Sequence, residues 1–176
     1  MRTQGKAIYN NNKVVRLIGA FHNITDLKKS QFDLAWVNRA LLILSKSNET
    51  LIHMTDETKL IKEICCIIVE IGGYLMAWVG YAEDDDYNSI KPKSYYGHGD
   101  SRFLDNINLS WSDQHINGVG PEGKTIRLGV PIFVGDLMLD LTHPVKEATY
   151  EQGYMSLISL PLKNKGIRKV MCISQF

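Results

Sequence analysis

The sequence predicts an α+β protein, and three patterns carry that prediction. Leu27, Leu34, Val37, Leu41, Leu44, Asn48 and Leu51 fall on one helical stripe, and from Leu34 the steps are three, four, three, four and three. That is a 3.5-residue period, the spacing that keeps one seam of a helix facing a partner helix. Leu60, Ile61, Ile64, Ile67, Ile68 and Ile71 are spaced as the buried face of a second, amphipathic helix. Around these helices lie short β-rich runs bounded by turn residues.

Taken in order, residues 3–24 read as a strand pair. Ala7, Ile8 and Tyr9 lead into Asn10-Asn11-Asn12, whose short polar side chains tolerate turn geometry. Val14, Val15, Leu17, Ile18 and Phe21 return as the second strand. Two strands alone are marginal in water, so this hairpin is expected to join a sheet. Thr25 or Asp26 is expected to cap the rod-like helix that follows, over about Asp26–His53. Ala35, Trp36, Leu42 and Ile43 lie on a second face of it, which predicts two burials: one against a partner chain, one against its own domain. Asn48 is a polar residue at a core position of the repeat, a device that penalises other registers. Leu34, Val37, Leu41, Leu44, Asn48 and Leu51 are therefore the predicted dimerisation seam, and a homodimer the predicted assembly.

Thr55, Asp56 and Glu57 form a capped, acidic start for the second helix, and Gly72-Gly73 ends it. Leu75–Ala82 is apolar on both alternating faces, as a central strand covered on both sides is. Glu83–Asp86 turns the chain, and Ser89–Tyr96 returns as a strand. A loop-rich middle follows, with Trp111, several glycines and Pro121. Val130–Val134 and Met155–Leu162 are further predicted strands, separated by a helix over about Pro144–Gln152. Lys163-Asn164-Lys165-Gly166 is a turn, and Ile167–Ser174 the last strand.

Composition narrows the function. A hydrophobic fraction of 44% and a charged fraction of 22% in 176 residues are those of a folded chain, not a disordered one. A net charge of +1 supplies no general field for nucleic acid. The longest apolar run, Ile64–Val69, is far too short to span a bilayer, and no membrane insertion is expected. Cys65 and Cys66 are adjacent and the cysteine count is odd, which favours a reducing, cytoplasmic setting.

Two families are resembled. Gly5–Lys29, ending in Gly19-Ala20-Phe21-His22-Asn23-Ile24-Thr25-Asp26-Leu27-Lys28, resembles the C-terminal end of a PAS domain, with Asn23 where that family usually places Asp. Residues 56–174 resemble a GAF domain of sensor histidine kinases and diguanylate cyclases. The matching stretches are Ile64–Ala82, Gly118-Val119-Gly120-Pro121-Glu122-Gly123-Lys124-Thr125-Ile126-Arg127-Leu128-Gly129, Asp136, and Ser156-Leu157-Ile158-Ser159-Leu160-Pro161-Leu162. The resemblance implies an antiparallel sheet with helices on one face and a ligand pocket on the other. It assigns residues 1–26 to a PAS end, 27–53 to a signalling linker helix, and 54–176 to a GAF domain without its final helix. It also implies a sensory input fragment of a two-component or cyclase-type signalling protein, binding a small ligand of unknown identity and biasing an output domain.

Several motifs invite other chemistry. Gly118-x-x-x-x-Gly123-Lys124-Thr125 satisfies the P-loop pattern, but a phosphate cradle needs a buried strand before the loop and a full helix after it. Here Ser112–Asn117 is polar and Gly129 ends any helix at once, so a nucleotide hydrolase using Lys124 is the lesser alternative. A thiol reductase using Cys66 is the other, since some GAF proteins reduce methionine sulfoxide through cysteines of their pocket loops; here Cys65 and Cys66 belong to a helix and Cys172 to a strand. Glu83-Asp84-Asp85-Asp86 reads as a solvated hairpin tip rather than a cation site. The five histidines show no ligand spacing with the cysteines, so no metal is expected. Trp78, Tyr96 and Trp111, with Asp136 or Ser159 fixing orientation, are the predicted ligand-binding residues, because small-ligand sites are mostly aromatic and apolar with a few placed polar groups. No catalytic residue is predicted.

Overall fold

The computed structural model describes residues 2–10, 12–98, 101–164 and 167–175, with backbone alone at positions 2, 3, 20, 21, 101, 102, 105, 163, 164, 167 and 168. Asn11 of the first predicted turn and Lys165-Gly166 of the last therefore lie outside the described residues. The chain forms two compact units, Met1–Leu41 and Leu42–Phe176.

The first unit holds an antiparallel hairpin of β1 (Arg2–Asn10) and β2 (Lys13–His22). Asn12 takes the left-handed conformation, φ 59°, that short polar side chains tolerate. The two strands form a sheet of their own, and Val15, Leu17 and Ile18 remain exposed. Helix α1 (Thr25–His53) follows, opened by Asn23: its side-chain oxygen accepts from Thr25 N at 3.0 Å and Thr25 Oγ1 at 2.7 Å. Thr25, expected as a cap, instead donates to Asn23 in a local turn ahead of the helix. None of the residues of α1 is buried, and Trp36 and Leu42 of its second face stay exposed. Of that face, Ile43 is half-buried.

The second unit is built on a six-stranded antiparallel sheet. Its strands are β3 (Met76–Ala82), β4 (Ser89–Gly97), β5 (Leu109–Ser110), β6 (Ile132–Val134), β7 (Ser156–Asn164) and β8 (Ile167–Gln175), in the order β5-β4-β3-β8-β7-β6. Helix α2 (Glu57–Glu70) is capped by Asp56, whose side chain accepts from Lys59 N at 3.1 Å. Its apolar face packs Cys65, Ile68 and Val69 on Ala77, Val79, Met171 and Ile173. The opposite sheet face carries Met76, Trp78, Leu157, Val170 and Cys172, packed with Leu104, Leu109, Leu137 and Tyr154. Covering both faces of β3 explains why its sequence is apolar at both parities.

Three short helices follow the sheet's first strands: α3 (Ser101–Asn106), α4 (Pro121–Leu128) and α5 (Lys146–Glu151). The sequence predicts only the last of them and reads the region of the first two as loop. Helix α4 carries clear end signals, Pro121 at its start and Gly129 in the left-handed conformation (φ 65°) at its end. Its eight residues are too few, and too polar, for a periodic stripe to show.

Candidate functional site

The sheet face opposite α2 holds a group of polar side chains inside an apolar core. Strand parity places Ser159, Cys172, Trp78 and Tyr95 in one cross-strand row on that face. Helix α4 lies over it, and Thr125 Oγ1 donates to the Ser159 carbonyl at 3.3 Å. Glu122, in the first turn of α4, and His143, in the connection from β6 to α5, complete the group. Their side chains are 5% and 1% exposed, and His143 Nε2 lies 3.7 Å from Glu122 Oε1. The Cys172 thiol is 4.0 Å from the same oxygen and 3.7 Å from Ser159 Oγ.

The two most polar members are not satisfied by one another. Glu122 Oε2 and both ring nitrogens of His143 have no hydrogen-bond partner among the described residues. A buried polar group left unpaired costs about 1–3 kcal/mol, and more when charged. An apolar pair of similar volume would avoid that cost.

The surroundings are tightly built. A side chain at Gly120 would meet Pro144 Cδ at 2.7 Å and Glu122 Oε2 at 3.2 Å, so this glycine lets the turn that carries His143 close over the carboxylate. Gly118 and Gly123 sit against the backbone of Ser112, Ser110 and Gly118 itself, at distances that leave no room for a Cβ. Arg127 fixes the same loop, donating from Nη1 to the carbonyls of Trp111 at 2.7 Å and Gly118 at 2.8 Å. At the rim, Lys124 Nζ donates to Thr142 Oγ1 at 3.0 Å, and Thr142 donates from N and Oγ1 to Asp140 at 2.8 and 2.7 Å. Burial works against the Asp140 carboxylate, but the Thr142 hydrogen bonds outweigh it and hold the carboxyl below its ordinary range.

On the same unit, a cleft of about 680 Å³ opens beside β4 and β5. Ile90, Leu104 and Leu109 form its floor, and Asp85, Lys91 and Asn117 are among its polar residues. Tyr87 and His115 stack there at 5.2 Å between ring centroids. This volume lies within the range of small-ligand sites.

The predicted ligand-binding residues divide. Trp78 is 3% exposed and Ser159 fully buried, both on the α4 face. Gly80 makes room for Trp78 and Ile90: a Cβ there would meet each of them at 2.7 Å. Trp111 packs at the edge of the same core, but its indole N–H is spent on the Glu83 carbonyl at 2.8 Å. Tyr96 pairs with Ala77 and so lies on the opposite, α2-covered face, where its hydroxyl donates to Glu70 at 2.9 Å. The Glu70 carboxylate, with help from Cys66, pushes the Tyr96 hydroxyl up to about 12. Asp136 is exposed and accepts from Met138 N at 2.9 Å, a local turn bond. The structure thus brings Trp78, Ser159 and the edge of Trp111 to one face, and leaves Tyr96 and Asp136 apart from them.

Glu122, His143, Thr125 and Cys172 carry no comparable signal in the sequence. In the sequence Glu122 is an acidic residue of the loop-rich middle, inside the Gly118–Gly129 stretch that resembles GAF domains, and nothing local marks it as buried. The P-loop pattern of Gly118–Thr125 stands in a different context from a phosphate cradle. Its preceding strand, β5, has two residues, and Lys124 reaches Thr142 instead of a phosphate cradle.

Burial pushes the Cys65 thiol up to about 12, with the neighbouring Cys66 adding to the shift. Burial, then the Glu122 charge, raises the Cys172 thiol far above its ordinary value. Neither holds the thiolate that nucleophilic chemistry needs near neutral pH. Cys66 is half-buried on α2, across the sheet from the polar group. Among the described residues no group of three or more His, Cys, Asp or Glu could hold a metal ion. No helix among them is long and apolar enough to cross a membrane.

Comparison of the sequence with models of known families and with curated proteins gives no match. Comparison of the structure does. The chain is similar to the GAF domain of a phosphoenolpyruvate-protein phosphotransferase from Coxiella burnetii, with a TM-score of 0.60 at 16% identity, over 79% of this chain and 78% of that one. It is similar to a GAF domain from A. aeolicus in an inactive state, with a TM-score of 0.60 at 18% identity, over 81% and 80%. It is also similar to the free methionine-R-sulfoxide reductase of Neisseria meningitidis in complex with its substrate, with a TM-score of 0.59 at 14% identity, over 78% and 72%. Strand order, helix placement and these likenesses together give the chain the fold of GAF domains.

Proposed function

We propose that this chain is a non-catalytic regulatory module that binds a small molecule on the α4 face of its sheet. The observation that carries this reading is the unpartnered polar group of Glu122 and His143, held inside the apolar core of a GAF fold. A domain used only for packing has no need of it.

The module pairs with a second copy along α1, and the pair passes the ligand's effect to an output domain of the histidine kinase or cyclase type. What supports the pairing is the seam itself: Leu34, Val37, Leu41, Leu44 and Leu51 are each 51–62% exposed, and Asn48 is exposed between them. Each of these apolar side chains is already about half covered, so burying the remainder contributes about 1–2 kcal/mol per side chain. The hairpin ahead of α1 is the end of a PAS domain in this reading, and the setting is cytoplasmic. Coupling between ligand and helix pair is bounded by the ligand's difference in affinity for the two states.

Leu41→Asp tests the pairing. Light scattering is expected to give twice the chain mass for the parent protein and the chain mass, or an aggregate, for the variant. A dimer of unchanged mass would end the seam assignment.

The reductase likeness favours a thiol enzyme only through its fold. The buried Cys65 and Cys172 thiols and the placement of Cys66 on the far face weigh against it.

A further inference from the structure

We propose that Glu122 and His143 are the recognition end of a site for a small primary ammonium compound that carries a hydrogen-bond acceptor next to its amine. The proposal rests on the regulatory reading above and adds the ligand's chemical class.

Four observations lead to it. Both side chains are more than nine-tenths buried, and they lie at 3.7 Å, beyond the reach of a hydrogen bond. Glu122 Oε2 and both nitrogens of His143 are without partners among the described residues. The two nearest basic side chains of α4 are already engaged: Lys124 with Thr142, and Arg127 with the Trp111 and Gly118 carbonyls. Finally, no lysine or arginine pairs with Glu122 among the described residues; its one titratable neighbour of opposite kind is His143.

The missing partner of a buried carboxylate is a cation with N–H donors. The imidazole adds a second condition, because at least one of its ring nitrogens carries an N–H that needs an acceptor. A ligand that answers both groups carries an ammonium for Glu122 Oε2 and a neighbouring oxygen for the imidazole N–H. An anion would meet like charge at Glu122, and an apolar ligand would leave all three atoms unpaired. Ser159 and Cys172, with neutral hydroxyl and thiol groups 3.7 Å apart, form the polar wall behind the pair. Gly120 and Pro144 close over it, which limits the ammonium end to a small group.

The probes are 2-aminoethanol and ethylammonium chloride, titrated into the full chain, with ethanol, sodium acetate and sodium chloride as controls. At ten times its dissociation constant, 2-aminoethanol is expected to raise the melting temperature by about 4 °C. Ethylammonium binds more weakly, and the controls leave the melting temperature unchanged. Glu122→Gln keeps the shape and removes the charge, and is expected to lower amine affinity at least about tenfold. Should that variant not fold, the parent protein decides: the His143 ring resonances shift saturably with 2-aminoethanol and not with acetate. The assignment is overturned if no amine gives a saturable response, or if elemental analysis finds a metal ion bound at one per chain and lost on Glu122→Gln. It is equally overturned if ethanol or acetate moves the His143 signals instead, an outcome that leaves the regulatory reading standing. The Leu41→Asp test reads the helix pairing and not the Glu122–His143 site, so a failure of the seam and a failure of this assignment are distinguishable.

Discussion

Lys169 of β8 and Glu57 of α2 form an ion pair that ties the first turn of the helix to the sheet. The Tyr81 hydroxyl donates to the same Glu57 oxygen at 2.9 Å, and the Lys169 ammonium stands 4.4 Å from the centre of the Tyr81 ring. Lys169 is 7% exposed, so its aliphatic stem is part of the core while its charge meets both partners. The hydrogen bond from Lys169, then that from Tyr81, holds the Glu57 carboxyl below its ordinary range. Burial alone would push Lys169 down, but Glu57 and Tyr81 outweigh it and leave the ammonium raised.

These directions give a pH dependence. Glu57 is a carboxyl depressed by folding, so its contribution is complete above the unfolded value of about 4.3 and is lost as pH falls through the folded value. Lys169 is an amine raised by folding, so its contribution is complete below about 10.4 and is lost as pH rises past its folded value. Urea midpoints at pH 7 and pH 3 check the first statement. The parent protein is expected to lose more stability between them than Lys169→Met, which keeps the stem and removes the partner. Equal losses would show that the pair does not contribute.

Arg127 anchors the loop around the site through two charge-assisted hydrogen bonds to main-chain carbonyls. Arg127→Ala leaves both carbonyls to find other donors, and is expected to destabilise by about 1.5–3 kcal/mol. Amide exchange of residues 111–119 should rise more than that of β3 and β8. Uniform exchange across the unit would argue against a local anchor.

Gly120 has an ordinary backbone conformation, φ −69° and ψ 174°, so alanine there meets no conformational penalty. Its methyl would instead press on the rigid ring of Pro144 and on Glu122 Oε2. Overpacking of this kind costs about 1–3 kcal/mol. Gly120→Ala is therefore expected to lower the urea midpoint and to move the His143 ring resonances, whereas Gly5→Ala, with its nearest contact at 4.0 Å, should leave those resonances unmoved. A silent Gly120→Ala would mean that the turn at Pro144 does not close on Glu122.

Much of the fold was legible because its signals are local. Asp56 caps α2, the apolar spacing of Leu60–Ile71 marks its buried face, and Gly72-Gly73 ends it, all within one stretch of chain. The strands β3, β4, β7 and β8 announce themselves by β-rich runs between turn residues. Helices α3 and α4 did not, because six and eight residues are too short to show a period.

The binding residues were legible only in part. Trp78 and Tyr96 are both aromatic strand residues, and nothing near either one tells which sheet face it takes. The β3–β4 register decides that, setting Trp78 against Tyr95 and Ala77 against Tyr96, so the two rings point to opposite sides.

Periodicity, caps and turn residues are properties of neighbours along the chain, and they were enough to read the α+β class and α1 with its leucine stripe, while the GAF likeness rested on the resemblance of longer stretches to that family. The tertiary structure alone decided that Glu122, His143, Ser159 and Cys172 meet, since they come from α4, a connecting turn and two strands. Burial, and with it the need for a partner, is set by what packs around a side chain, and that depends on contacts between distant segments which no local pattern records.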